Sequence, residues 1–198
     1  MMDSAEGFIL TGGQSRRMGT DKSQLMIKGM TFLQRIAEEM IASGLSVTAV
    51  GKAPPTWFYQ QVLDIYPNWG ALGGVHAALS ACKSDWAMVI ACDFPFVSRG
   101  LIERLLSKRE TFEAVAPIQS DSIPQPLCSL YRVVPCLSRA EELIKSGERK
   151  PVALLQSVRT RWILFDEIAD LEASHRFFDN INSPEDYSRI VEKGVDNG

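Results

Sequence analysis

Between positions 10 and 22 the chain reads Leu10-Thr11-Gly12-Gly13-Gln14-Ser15-Arg16-Arg17-Met18-Gly19-Thr20-Asp21-Lys22, paired glycines followed by three cations. Glycine lets a backbone approach a ligand and present its N–H groups, arginine forks onto phosphate oxygens, and lysine adds a point charge. A polyphosphate suits this combination. Two familiar phosphate loops do not fit it. Asp21 stands where the Walker pattern needs glycine before Lys22, and no third glycine follows Gly12-Gly13 at the dinucleotide-fold offset. A solvated basic turn is the plainer alternative, but such turns seldom combine paired glycines with three cations. The second run is Cys92-Asp93-Phe94-Pro95, directly after the apolar stretch Trp86 to Ala91. Mg²⁺ takes one or two carboxylates and fills its remaining positions with water and phosphate oxygens, so one well-placed aspartate is a sufficient anchor. By itself Asp93 could equally cap a turn. The third run, Gly70-Ala71-Leu72-Gly73-Gly74, leads into a helix carrying His76. Its glycines suit either a ligand at unpaired helix N–H groups or close helix packing, and His76 receives no role.

These residues need elements to hold them. Short apolar runs alternate with segments of helical period, the signature of crossover units on a mostly parallel sheet. A first strand over Gly7 to Thr11 empties into the glycine-rich loop. A helix then begins at Thr31, with Gln34 completing a capping box and Phe32, Leu33, Ile36, Met40 and Ile41 forming its apolar face, and ends at Ser43-Gly44. Strands are expected at Val47 to Val50, around Val62 to Ile65, and at Trp86 to Ala91, with a helix opening at Gly73-Gly74 and running through Leu79. The second half gives strands at Ala114 to Ile118, Leu127 to Arg132 and Arg161 to Phe165, and helices near Pro135 to Ser146 and Pro151 to Ser157. Pro124 and Pro126 argue for an edge or a loop. A last helix starts at Ser183-Pro184-Glu185-Asp186. Asp93 then falls at the carboxyl edge of the sheet, beside the glycine-rich loop if their strands are neighbours.

The whole chain agrees with a single enzyme domain. Its 198 residues, 45% hydrophobic, are enough for one core, taken as a nucleotide-binding half over roughly 1–100 and an acceptor-binding half over 101–198. A formal charge of -3 does not advertise nucleic acid. Cys82, Cys92, Cys128 and Cys136 lack metal or redox spacing and read as reduced structural thiols. With no signal peptide and no apolar run approaching the ~20 residues of a membrane span, a cytoplasmic location is expected.

Taken together, Leu10 to Lys22, Gly70 to Gly74, Cys92 to Pro95, Gln125-Pro126-Leu127 with Tyr131, and Asn180-Ile181-Asn182-Ser183-Pro184-Glu185 resemble the molybdenum cofactor guanylyltransferases, also called molybdopterin-guanine dinucleotide biosynthesis protein A. The motifs stand in that family's order and span nearly the whole chain. The resemblance implies a three-layer, open, mostly parallel sheet with helices on both faces, of the nucleotide-diphospho-sugar transferase type. It also implies transfer of GMP from GTP to molybdenum-loaded molybdopterin, with Mg²⁺ as cofactor and no membrane or nucleic-acid partner. Transient contact with other cofactor-biosynthesis proteins would fit such a role. Carried over residue by residue, Leu10, Thr11, Gly12 and Gly13 meet the nucleotide, Arg17 and Lys22 hold phosphates, Asp64 approaches the guanine, and Asp93 binds Mg²⁺ and the triphosphate. Arg17, Lys22 and Asp93 are the catalytic set, while Gly73, Gly74, Asn180 and Asn182 belong to the acceptor side. Gly12-Gly13 resembles the guanylyl branch, since the cytidylyl branch has alanine then glycine. Gly51 departs from the family, which often has asparagine there. A cytidylyltransferase acting on molybdopterin or another phosphorylated small molecule, and a non-catalytic nucleotide-binding regulator, are the competing readings.

Overall fold

The structure is a computed structural model and describes residues 4–11, 25–27, 29–51, 60–179 and 187. Its centre is a seven-stranded sheet. The strands are β1 (Ala5–Leu10), β4 (Val47–Val50), β5 (Gln61–Val62), β6 (Trp86–Ala91), β7 (Ala114–Pro117), β8 (Cys128–Arg132) and β9 (Thr160–Ile163), in the spatial order β5-β4-β1-β6-β8-β7-β9. β5, β4, β1 and β6 run parallel, β8 is antiparallel to both neighbours, and β9 pairs parallel with β7. A small hairpin of β2 (Met26–Ile27) and β3 (Met30–Thr31) stands apart.

Helices cover both faces, as expected of a sheet whose central strands are apolar throughout. β6 is buried along its whole length, and its alternating side chains divide between two cores. Trp86, Met88 and Ile90 join α1 (Phe32–Ala42) and α3 (Arg99–Leu106) on one side. Ala87 and Val89 join α2 (Ala71–Ala81), α4 (Val133–Lys145) and α5 (Pro151–Ser157) on the other. The expected three-layer, mostly parallel architecture is therefore present. No helix among the described residues is long and apolar enough to cross a membrane.

Local signals placed most elements within a residue or two. Thr31 caps α1: its hydroxyl accepts the Gln34 N–H at 3.1 Å and its own N–H donates to the Gln34 side chain at 2.8 Å. Three expectations need correction. Ile41 is 61% exposed, because at about 100° per residue it falls at the margin of the stripe set by Leu33, Ile36, Ala37 and Met40. β5 stops at Val62 rather than reaching Ile65, since pairing with β4 ends at Val50 and Gly51 turns away with φ 107°. α2 begins at Ala71 and encloses Gly73 and Gly74 in its first turn. Pro124 and Pro126 lie in the loop between β7 and β8, the second of the two places expected for them, and β8 itself is an inner strand. α3 was not anticipated, although Ser98 caps it and Leu101, Ile102 and Leu105 are its buried face. The helix expected at Ser183 lies outside the described residues.

Candidate functional site

Parallel β1, β4, β5 and β6 all finish at one edge of the sheet, where ligands of open α/β folds bind. β1 and β6 are direct neighbours with Leu10 opposite Ala91, and the Cys92 N–H donates to the Leu10 carbonyl at 3.1 Å. The chain therefore leaves β1 toward the glycine-rich loop at the place where it leaves β6 toward Asp93. Thr11 is buried, and its N–H and hydroxyl both donate to the Val50 carbonyl, at 2.8 and 2.9 Å. On the far side of the loop, the Leu25 carbonyl accepts the Phe32 N–H at 2.9 Å. Ile27, Phe32, Leu25, Phe96 and Tyr187 form one apolar cluster. Both flanks of the 12–24 segment are thus anchored around the Asp93–Phe96 turn, while Gly12, Gly13, Arg17 and Lys22 lie outside the described residues.

Because β8 is antiparallel, its beginning rather than its end reaches this edge. The Leu127 carbonyl accepts the Ala91 N–H at 2.8 Å, which seats Gln125-Pro126-Leu127 beside the start of the Asp93 turn. Gln125 is buried and donates through Nε2 to the Gln119 side chain at 2.7 Å. Tyr131, fully buried, donates its hydroxyl to the Pro126 carbonyl at 2.6 Å. The motif that sequence alone could only note as familiar is a braced wall of the site.

Three further contacts hold the Phe94–Phe96 turn. Arg35 Nε donates to the Pro95 carbonyl at 3.3 Å, Arg176 stacks its guanidinium 3.9 Å over the Phe96 ring, and Phe178 meets Phe94 edge-on at 6.4 Å. Sequence reasoning missed Arg35 and Arg176, since neither stands in a motif. Phe178 precedes Asn180 by two positions; Asn180 and Asn182 lie outside the described residues.

Asp64 follows β5 at the same edge. It is half-buried, and that burial pushes its carboxyl above the ordinary aspartate value. The glycines of α2 have a packing reason: a Cβ on Gly73 would stand 2.9 Å from the Trp69 Cβ and 3.3 Å from the Tyr66 carbonyl, and one on Gly74 would stand 3.3 Å from Leu10. Gly73→Ala is therefore expected to lower stability by about 1–3 kcal/mol, the usual cost of overpacking a tight contact, measured by urea unfolding. An unchanged midpoint would remove the packing explanation. His76 is buried against Tyr66, ring centroids 4.9 Å apart, with Glu141 Oε1 3.6 Å from Nε2. Desolvation lowers its pKa, offset in part by Glu141. It sits in the core rather than on the site edge.

Among the described residues, no three His, Cys, Asp or Glu side chains gather as a metal cage. One hard carboxylate on a sheet edge still suits Mg²⁺, whose other positions go to phosphate oxygens and water. Asp93 fits that requirement: half-buried, next in the chain to Cys92, whose N–H meets the Leu10 carbonyl, and on a turn braced from several elements. All four cysteines are free. Burial pushes Cys128 and Cys136 up to about 12 and Cys82 to about 11, as inert structural thiols require.

Comparison with known proteins agrees with this geometry. Residues 7–161 match a MobA-like NTP transferase domain. The chain is 28% identical over 189 residues to the molybdenum cofactor guanylyltransferase of Vibrio atlanticus, covering 92% of this chain and 93% of that protein. It is 28% identical over 193 residues to the one from Desulfosudis oleivorans, covering 95% of each. Its fold is similar to the crystal structure of molybdopterin-guanine dinucleotide biosynthesis protein A from Archaeoglobus fulgidus, with TM-score 0.81, 24% identity, and 96% and 99% of the two chains covered. It is also similar to 2-C-methyl-D-erythritol 4-phosphate cytidylyltransferase from Thermus thermophilus, with TM-score 0.69, 16% identity, and 98% and 100% covered. The sheet and its helices are thus of the nucleotide-diphospho-sugar transferase type.

Proposed function

The chain belongs to the MobA-like NTP transferase family and is a nucleotidyltransferase, and from that premise we propose that it transfers GMP from GTP to molybdenum-loaded molybdopterin with release of pyrophosphate. The observation that carries the reading is the adjacency of β1 and β6, which sets the start of the Gly12–Lys22 loop against the start of the Asp93 turn. The guanylyl activity of relatives that match nearly the whole chain supports the choice of donor and acceptor.

In this reaction an acceptor phosphate oxygen attacks the α-phosphorus of GTP, a new P–O bond forms, and the bond to the β-phosphate oxygen breaks in line. The nucleophile is already anionic, so positioning and charge neutralisation do most of the work and no strong base is required. Leu10, Thr11, Gly12 and Gly13 contact the nucleotide. Arg17 and Lys22 neutralise the charge that develops on the α-phosphate and the leaving pyrophosphate. Asp64 accepts hydrogen bonds from the guanine edge, and Gly73, Gly74, Asn180 and Asn182 belong to the acceptor side. Asp93 holds Mg²⁺, which when bound supplies positive charge to the triphosphate oxygens. Gly51 has no side chain to meet the nucleotide, so any contact there is through the backbone.

A second reading, cytidylyl transfer, has the Thermus thermophilus structural likeness in its favour, while Gly12-Gly13 favours GTP. Incubating the protein with Mg²⁺, molybdenum-loaded molybdopterin and each nucleoside triphosphate separates them. A product mass corresponding to the guanine dinucleotide, formed with pyrophosphate, is expected. The cytosine dinucleotide as sole product would replace the donor assignment, and nucleotide binding without turnover would make the chain a regulator. We place the reaction in the cytoplasm, in keeping with four free cysteines, where other cofactor-biosynthesis proteins could hand over the pterin.

A further inference from the structure

Asp64 sits on a loop that is stapled from outside its own half of the chain. α4 begins at the far edge of the sheet and runs back, so the turn joining it to α5, residues 146–150, arrives at the same edge as Asp64 and the start of α2. That turn grips the loop after β5 at several points. Trp69 Nε1 donates to the Glu148 carbonyl at 2.9 Å, the Arg149 guanidinium lies 4.6 Å over the Trp69 ring, and Arg149 Nη1 donates to the Asn68 carbonyl at 3.2 Å. The Glu148 carboxylate in turn accepts the N–H groups of Arg149 and Lys150, both at 2.8 Å, fixing the turn itself.

The loop has the shape of a part that must be held. Asn68 and Gly70 take left-handed φ values of 63° and 76°, so the chain reverses tightly around Trp69. The Trp69 N–H donates to the Tyr66 carbonyl at 3.2 Å, and Tyr66 meets buried His76 edge-on. Leu63 and Ile65, by contrast, are 71% and 54% exposed. Their own packing therefore does not fix the carboxyl between them, and its position is set by the two flanks of the loop, Val62 at the end of β5, whose carbonyl accepts the Gly51 N–H at 2.9 Å, and the Tyr66–Trp69 end.

We propose that Trp69 and Arg149 are positioning residues for base selection: the α4–α5 turn holds the Asp64 carboxyl where it reads the donor edge of guanine. This rests on the guanylyl reading given above. Guanine offers N1–H and an exocyclic amino group to a carboxylate, whereas the hypoxanthine of ITP offers N1–H alone. A site built for two donors rejects the analogue lacking one, but only while its acceptor is held in register.

The test compares kcat/KM for GTP and ITP in the full-length protein, together with direct GTP binding followed by tryptophan fluorescence. Asp64→Asn is the control for the base reading. If it leaves the GTP preference intact, Asp64 does not read the base, and the base assignment falls together with the inference built on it. If Asp64→Asn lowers the preference, Arg149→Ala and Trp69→Ala are expected to lower it too, by about threefold and about tenfold, the scale of a weakened charged hydrogen bond. The loss should appear in KM for GTP, with kcat at saturating GTP unchanged, and Arg149→Lys should recover part of it because a cation remains over the indole. Arg149 is exposed, so its variants test the idea even where Trp69→Ala unfolds. An Arg149→Ala protein with unchanged selectivity and KM, beside an Asp64→Asn protein that has lost selectivity, overturns the staple and leaves the base reading standing.

Discussion

Lys22→Ala is expected to reduce turnover by on the order of 10²–10³-fold at saturating GTP and acceptor, the effect of losing one donor aimed at developing charge. The expectation comes from where the loop begins and returns. Thr11 is tied to Val50 beside Cys92, and Leu25 and Ile27 return into the cluster that contains Phe96. Both flanks of the cation-bearing segment therefore meet at the Asp93 turn. Lys22→Arg should recover part of the loss, since a planar fork replaces a compact ammonium but the charge remains. Pyrophosphate release, measured at saturating substrates and again as kcat/KM, distinguishes a transition-state role from simple nucleotide binding. Wild-type kcat in Lys22→Ala would exclude Lys22 from the chemistry.

Asp93→Ala should remove Mg²⁺-dependent turnover while leaving the protein folded. A half-buried carboxylate on a turn after β6 adds little to the cores, which are built by Ile90, Phe94, Val97 and their neighbours. The decisive comparison is thermal unfolding of the two proteins alongside a Mg²⁺ titration of activity and a direct Mn²⁺·GTP binding measurement. A folded protein with weakened metal–nucleotide binding supports the assignment. Collapse of the fold would make Asp93 a structural residue, and undiminished metal-dependent activity would move the metal elsewhere.

Much of the fold was legible from local chemistry. The Thr31–Gln34 capping box fixed the start of α1, the unbroken apolar run from Trp86 to Ala91 gave β6 in full, and Pro151 marked the start of α5. The misses share a cause. α3 has only three buried positions in eight residues, too short a pattern to stand out beside the Phe94–Val97 apolar run. β5 is two residues long because its neighbour turns away at Gly51, a decision made by another strand.

The sequence by itself determined the parts: a glycine–cation loop suited to a polyphosphate, a carboxylate after a buried strand, and the alternation that produces a layered parallel sheet. Those are properties of residue types and short spacings, which local conformational preference and burial dictate. Only the tertiary structure decided that β1 and β6 are neighbours, that antiparallel β8 delivers Gln125-Pro126-Leu127 to the same edge, and that Arg35, Arg176 and Arg149 brace loops 60 to 80 residues away in sequence. Strand order and long-range side-chain contacts depend on how whole layers bury their faces against one another, and no local pattern encodes that choice.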